Sequence, residues 1–349
     1  MAARERWVYG DEKVKVTNAY KYLGMTFTTK LGIDFVLSDV CKKGKKGVKE
    51  IQKAMRRLSS SDPMIFWKLF DSQIEPMLTY AAEVWGLGNV DQIEKVQTFA
   101  MKRFLSVPLH SSNKLLYGET GRYPLFIRTA VKCIKYWIRL IRLPLSRLCR
   151  QTYDMLLIQH NQGRINWVSK VQQILNENGF GIVWLCQGVG YEERFVAEFK
   201  DRIMSCYKQN WHSDIEGNEK YKWYYTFKDS FCTERYLSFI TTTRFRDTLT
   251  RFRVRACGLR SHKVWFQTEI SENSSCPMCG HLIEDEVHFL FQCPAYLHLR
   301  EKYVSTESVS QPNWSNVRNI LACENEPKTI NLSKYLTFAL DIRKKKITV

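Results

Sequence analysis

The sequence predicts a mainly α protein with a small N-terminal β-hairpin, two long helical segments and a small C-terminal zinc knuckle. Three observations carry that expectation. Apolar residues recur at helical spacing along most of the chain, a strand-like hairpin pattern lies in the stretch before Thr28, and one cysteine and histidine cluster has metal-ligand spacing. With 349 residues, 44% of them hydrophobic and including 10 Trp, 17 Tyr and 19 Phe, the chain can bury a sizeable core, and extended disorder is excluded.

Lys13-Val14-Lys15-Val16-Thr17 alternates polar and apolar residues, and Tyr20 to Thr28 is aromatic and β-branched, with Asn18 and Gly24 as breakers. Together they predict the hairpin. From about Asp34 the period becomes helical: Val48, Ile51, Met55 and Leu58 share one face, and Lys42, Lys46, Lys49, Lys53 and Arg56 another. Ser61-Asp62-Pro63 is a helix start, because an Asp side chain accepts from the first unpaired N–H groups and Pro is tolerated in the first turn. The apolar run it opens, with Phe66, Leu69, Phe70 and Ile74, is kinked or ended by Pro76. Ile93, Val96, Phe99 or Ala100, and Phe104 predict a helix from Val90 to Leu105, closed by Pro108.

Gly121 to Arg150 holds eight basic residues and no acid. Arg128, Lys132, Lys135, Arg139 and Arg142 form a stripe beside an apolar stripe of Ile127, Val131, Ile134, Ile138 and Ile141, an amphipathic helix that Pro144 ends. Like charges at this spacing repel one another, so without interleaved acids the stripe is expected to face phosphates. Trp167 to Leu175 and Glu193 to Tyr207 read as helices separated by Asn178-Gly179-Phe180-Gly181. Trp211, Trp223, Tyr224, Tyr225 and Phe227 have rings on which bases stack, but they are expected in the core. Thr243 to Arg255 counts either as an alternating strand or as a helix with Phe245, Leu249, Phe252 and Ala256 inward, and the helix is preferred. Its basic residues, Arg244, Arg246, Arg251, Arg253 and Arg255, open a run of seven against the single acid Asp247, and are expected to bind nucleic acid.

Lys and Arg outnumber Asp and Glu by 53 to 35, a formal charge of +18 that draws polyanions, with nucleic acid the leading partner. The start lacks the apolar stretch of a signal peptide and no window has the length of a membrane span. Eleven cysteines, an odd number, read as reduced thiols, so the expected setting is intracellular, nucleus or cytoplasm, with no membrane partner. There is no Gly-rich phosphate loop, two-histidine metal helix or nucleophile elbow, and no residue is assigned a catalytic role.

The cluster is Cys276-Pro277-Met278-Cys279, then His288 and Cys293, in the pattern C-x2-C-x8-H-x4-C. Two thiolates two residues apart grip an ion from a tight turn, and a His and Cys five apart complete a tetrahedron from a short helix. Three thiolates and one imidazole fill zinc's four positions and leave none for a reactive water, so the expected zinc is structural. His281 and His298 suit the spacing less well.

These strings resemble the C-terminal part of the reverse transcriptase of LINE-type, non-LTR retrotransposons over most of the chain. Tyr20-Lys21-Tyr22-Leu23-Gly24 followed by Met25-Thr26-Phe27 resembles the hairpin that ends the polymerase palm, which makes Tyr22, Leu23 and Gly24 primer-grip-like. Ile74-Glu75-Pro76 through Trp85-Gly86 resembles the thumb helix. Tyr117-Gly118-Glu119-Thr120-Gly121-Arg122-Tyr123-Pro124-Leu125, with Lys135-Tyr136-Trp137, resembles the region after the thumb. Cys276 to Cys293, with Glu284-Asp285-Glu286 before His288, resembles the family's knuckle. The resemblance implies a palm-end hairpin over 1–34, a thumb-like domain over 35–120, a basic connector over 121–265, a zinc knuckle over 266–305 and a tail over 306–349. It also implies binding of template RNA and target DNA, with an upstream polymerase segment as a further partner. The catalytic palm would lie before Tyr20 and no Asp-Asp pair occurs, so these residues alone are not expected to polymerise. An accessory tail of a longer active enzyme and a freestanding protein-interaction module are the alternatives.

Overall fold

Helices form where apolar residues recur every three to four positions, and the computed structural model, which describes residues 7–22, 25–29, 33–88, 90–262, 274–304 and 312–347, is built mainly of them. Ala19–Tyr22 pairs antiparallel with Met25–Thr28, Tyr20 opposite Phe27 and Tyr22 opposite Met25. The expected hairpin is present, with Leu23 and Gly24 at its turn lying outside the described residues. The alternating Lys13–Thr17 stretch is not one of its strands, because Glu12–Lys13 folds back on Val8–Tyr9 instead. Trp7, Tyr20 and Tyr22 stay exposed.

The Ile33–Arg57 helix buries Val48, Ile51 and Met55, while Leu58 lies past its end and is exposed. It crosses its neighbours closely at Gly44, where a Cβ would stand 3.0 Å from a Leu78 methyl and 3.1 Å from a Val96 methyl. Asp62 caps Pro63–Leu69 as the sequence predicts, accepting from the Met64 N–H at 2.7 Å. The chain then widens into a π turn, Phe70–Ile74, before Glu75–Leu78. Pro76 has no N–H and its ring crowds the preceding turn, so a wider turn lets the helical path continue past it. The Asp91–Phe104 helix buries Ile93, Val96, Ala100 and Phe104. Its Glu94 accepts the Leu125 N–H at 2.8 Å and so caps the amphipathic Leu125–Arg142 helix from a distance.

The apolar interior forms two clusters. The larger joins buried residues between Leu37 and Leu125 to others between Trp211 and Ala339, so the Ile33–Arg57 helix, the Thr243–Arg253 helix, the cysteine cluster and the C-terminal Glu326–Ile347 helix share one core. The smaller is contiguous, from Ile127 to Ile203, and holds Trp137, Tyr153, Trp184 and Phe199. Leu125–Arg142 and Glu192–Glu216, packed on each other, carry the chain into this second cluster and back. Trp211, Trp223, Tyr224 and Phe227 are buried, as the sequence reading expects. No described helix is long and apolar enough to cross a membrane.

Gly121 ends the Asn113–Thr120 helix with φ +61°, and a Cβ there would stand 2.3 Å from the Thr233 nitrogen and 2.6 Å from the Cys232 carbonyl carbon. Thr233 Oγ1 donates to the Thr120 carbonyl at 2.7 Å, which fixes that approach. Gly121→Ala combines left-handed strain with a clash between two backbones, and is expected to destabilise by about 2–4 kcal/mol. A thermal midpoint equal to the parent's would contradict this.

Candidate metal centre and basic surfaces

Local hydrogen bonds assemble the cluster from a tight loop and a helical turn. Gly280 N–H donates to the Cys276 carbonyl at 2.9 Å, and Cys276 N–H donates to the His281 carbonyl at 2.7 Å. On the opposite side, Asp285 Oδ1 accepts the His288 N–H at 2.7 Å and starts the π turn His288–Gln292. Cys293 N–H then donates to the His288 carbonyl at 2.8 Å, which turns both side chains toward the loop.

The ligand atoms of Cys276, Cys279, His288 and Cys293 all lie within 4.8 Å of one another. Cys276 and Cys293 sulfurs are 3.9 Å apart, and Cys279 Sγ is 3.3 Å from His288 Nε2. Zinc bonds of about 2.3 Å to sulfur and 2.0 Å to nitrogen give tetrahedral edges of roughly 3.8 and 3.5 Å, so the arrangement can hold a metal ion. Burial pushes the Cys293 thiol up to about 12 and raises Cys276 as well, so a cation must replace their protons for these sulfurs to ligate. His281 stacks on His288, ring centroids 4.4 Å apart, and its Nδ1 accepts the Ile283 N–H. It lies outside the ligand set.

The three acids before His288 have separate tasks. Glu284 receives two bonds from Arg343, at 2.5 and 2.6 Å, and Glu286 receives one from Arg255 at 2.7 Å, while Asp285 caps the turn. Tyr335 Oη donates to the Phe289 carbonyl at 2.6 Å. The ligand-bearing turn is thereby tied to the Thr243–Arg253 segment and to the C-terminal helix.

The basic residues divide sharply. Lys42, Lys46 and Lys49 are exposed on the Ile33–Arg57 helix with no acid at ion-pair distance among the described residues, and exposed Lys53 pairs with Glu50 at 2.9 Å. In the Leu125–Arg142 stripe, Arg128 pairs with Glu75 and Asp71, Lys132 donates to the Thr79 carbonyl and hydroxyl at 2.9 and 2.8 Å, and Arg142 pairs with Glu192 at 2.6 Å. Lys135 and Arg139 stay exposed over an open groove of about 640 Å³.

The Arg244 to Arg255 run is where the structure corrects the sequence reading. Arg246 and Arg253 are buried, and Arg251 and Arg255 partly so; Arg246, Arg253 and Arg255 are paired with carboxylates, and Arg251 is held through Nε by a carbonyl. Arg246 donates to the Ser61 carbonyl at 2.6 Å and to Asp247 at 2.9 Å, and lies over the Phe104 ring. Arg251 donates to the Ser106 carbonyl at 2.7 Å. Arg253 pairs with Glu119 at 3.0 Å and Glu234 at 3.1 Å, and Arg255 lies over Trp223 while holding Glu286. Only Arg244 is exposed, and it bonds Asp341. Tyr224 and Tyr236 hydroxyls also donate to Glu119, at 2.7 and 2.6 Å, and Lys228 pairs with Glu234 at 2.5 Å. Two buried cations thus match two buried carboxylates.

One grouping carried no spacing signal: Cys257 Sγ lies 3.3 Å from His262 Nδ1, and His262 Nε2 lies 3.1 Å from Glu286 Oε1. Of the primer-grip-like residues only Tyr22 is described, and it is exposed on its strand. No family model, curated protein or solved structure matches the chain.

Proposed function

We propose that this chain is a nucleic-acid-binding protein with a structural zinc knuckle, akin to the thumb, connector and knuckle of non-LTR retrotransposon reverse transcriptases, that holds template RNA or target DNA without making bonds. The observation that carries the reading is the free lysine face of the Ile33–Arg57 helix: Lys42, Lys46 and Lys49 point to solvent while Val48, Ile51 and Met55 anchor the opposite face. A rigid row of unneutralised cations follows a phosphate backbone. Lys135 and Arg139 add a second free pair. Three thiolates and an imidazole suit zinc, and when bound it would cross-link the Cys276–Cys279 loop to the His288–Cys293 turn.

The test is fluorescence anisotropy with single-stranded RNA and duplex DNA across a salt series. Changing Lys42, Lys46 and Lys49 together to Gln is expected to weaken binding at least about tenfold and to reduce the salt slope by roughly 2 to 3. An unchanged slope would refute the lysine face as the interface.

The exposed aromatic ribbons favour a second reading, an accessory role within a longer polymerase. Trp7, Tyr20 and Tyr22 offer apolar surface that a two-stranded ribbon alone does not cover. An antibody against 312–347 would detect a native band well above 41.2 kDa under this reading, and one at that mass under the first.

A further inference from the structure

We propose that Cys257 is a nucleophilic thiol activated by His262 and Glu286, and that it forms mixed disulfides with small organic disulfides. The three groups form a chain and not a chelate, because the two ring nitrogens serve opposite partners: Nδ1 faces the Cys257 sulfur at 3.3 Å and Nε2 faces Glu286 Oε1 at 3.1 Å. The carboxylate accepts the Nε2 hydrogen, which leaves Nδ1 to share a proton with the sulfur. A nucleophile, a base and a group that orients the base are thus in line.

His262 is 1% exposed, so its ring cannot turn away to water. Burial alone would strip its proton, but Cys257 and Glu286 outweigh burial and hold the proton on up to about 9, so at pH 7 the proton that the sulfur and the ring share rests on the ring. Among the described residues, Arg255, bonded to Glu286, and Arg343, bonded to Glu284, are charged groups beside these three, with Asp285 acting on Arg255. Cys257 itself is only partly buried. At the next residue, Gly258, nothing among the described residues lies within 4 Å of where a Cβ would stand.

In the reaction the shared proton stays on His262 Nδ1 while the Cys257 sulfur attacks one sulfur of the disulfide. The S–S bond breaks, and the leaving thiolate departs with the electron pair and takes up the proton. Cys257 is oxidised to the mixed disulfide and half of the small disulfide is reduced to a thiol, so atoms and electrons balance.

The full chain, purified without chelators, would be treated with glutathione disulfide at pH 7 and the modification rate of each cysteine followed by peptide mass spectrometry. Exposed Cys149 and Cys186, which have no histidine partner among the described residues, are internal references. Cys257 is expected to react at least about tenfold faster than either. His262→Ala is expected to lower the Cys257 rate about tenfold and added imidazole to restore most of it, with the references unmoved. His262→Gln, which fills the space, should show the same loss without rescue. A Cys257 rate no greater than that of Cys149 and Cys186 in the unaltered protein would overturn the proposal, as would full reactivity in both His262 variants.

Discussion

Chelating zinc held by the Cys276, Cys279, His288 and Cys293 cluster, or changing Cys293 to Ser, is expected to free the 276–283 loop and to lower the thermal midpoint by about 10 °C or more. The magnitude follows from how little else holds the ligand loop. Gly280, His281, Leu282 and Ile283 are exposed, so the loop has few apolar contacts of its own, whereas Cys293, Phe289 and Tyr296 are nearly inaccessible. Zinc bound by such a donor set contributes on the order of 10 kcal/mol to folding, because the unfolded chain lacks the preformed site. Losing even half of that in a chain of this size moves the midpoint by well over a few degrees. The check is one zinc per chain by metal analysis, followed by melts with and without a strong chelator. Superimposable melts would refute the structural role.

Arg253→Met is expected to destabilise the protein by about 3–5 kcal/mol. The substitution leaves Glu119 and Glu234 buried with Lys228 as the one remaining cation of the network, and removing one partner of a buried ionic group costs more than the group contributes when intact. It also strips a donor from the Leu321 carbonyl at the end of the Trp314–Leu321 helix. Arg253→Lys should recover little, since a single ammonium cannot reach two carboxylates and a carbonyl with a planar fork. Combining Arg253→Met with Glu119→Gln should be less harmful than the sum of the two, by about 1 kcal/mol or more. Denaturant titration measures all three, and a loss below about 1 kcal/mol for Arg253→Met would sink the account.

The helices were legible because burial imposes their period. The Asp62 cap, the Leu125–Arg142 stripe and the inward set Leu249 and Phe252 all lie where the residues place them. The Cys276, Cys279, His288 and Cys293 cluster was legible because a site that could hold a metal ion demands short spacings. Charge exposure was not. The run from Arg244 to Arg255 looks unneutralised when its acids are sought nearby, yet Glu119 lies 134 residues from Arg253 and Glu286 lies 31 from Arg255. A lone Glu119 just after Leu115-Leu116-Tyr117 was the one local hint, since an acid on a buried helix requires a partner. Cys257 and His262 likewise meet Glu286 only through the fold. The π turn before Pro76 also escaped, because periodicity counts residues without revealing that one turn is wide.

The two-cluster interior has a consequence for how the chain acquires its structure. The buried residues between Ile127 and Ile203 form one cluster within a continuous stretch, edged by Leu87, Tyr123 and Tyr207, whereas the larger core needs residues up to Leu125 to meet residues from Trp211 onward. Local contacts close small loops and form early, while distant ones must await a costly closure. Once the inner stretch condenses, its entering and leaving helices lie side by side, and the long loop that separated the halves of the outer core is already closed. The outer core cannot finish until its last helix, Glu326–Ile347, has been made. Synthesis from the N-terminus therefore lets the Ile33–Arg57 helix pack early on Phe70–Ile74, Glu75–Leu78 and Asp91–Phe104, but leaves that early unit waiting for Arg246 over Phe104 and for the rest of the outer core, an interval in which the nascent chain is prone to aggregate.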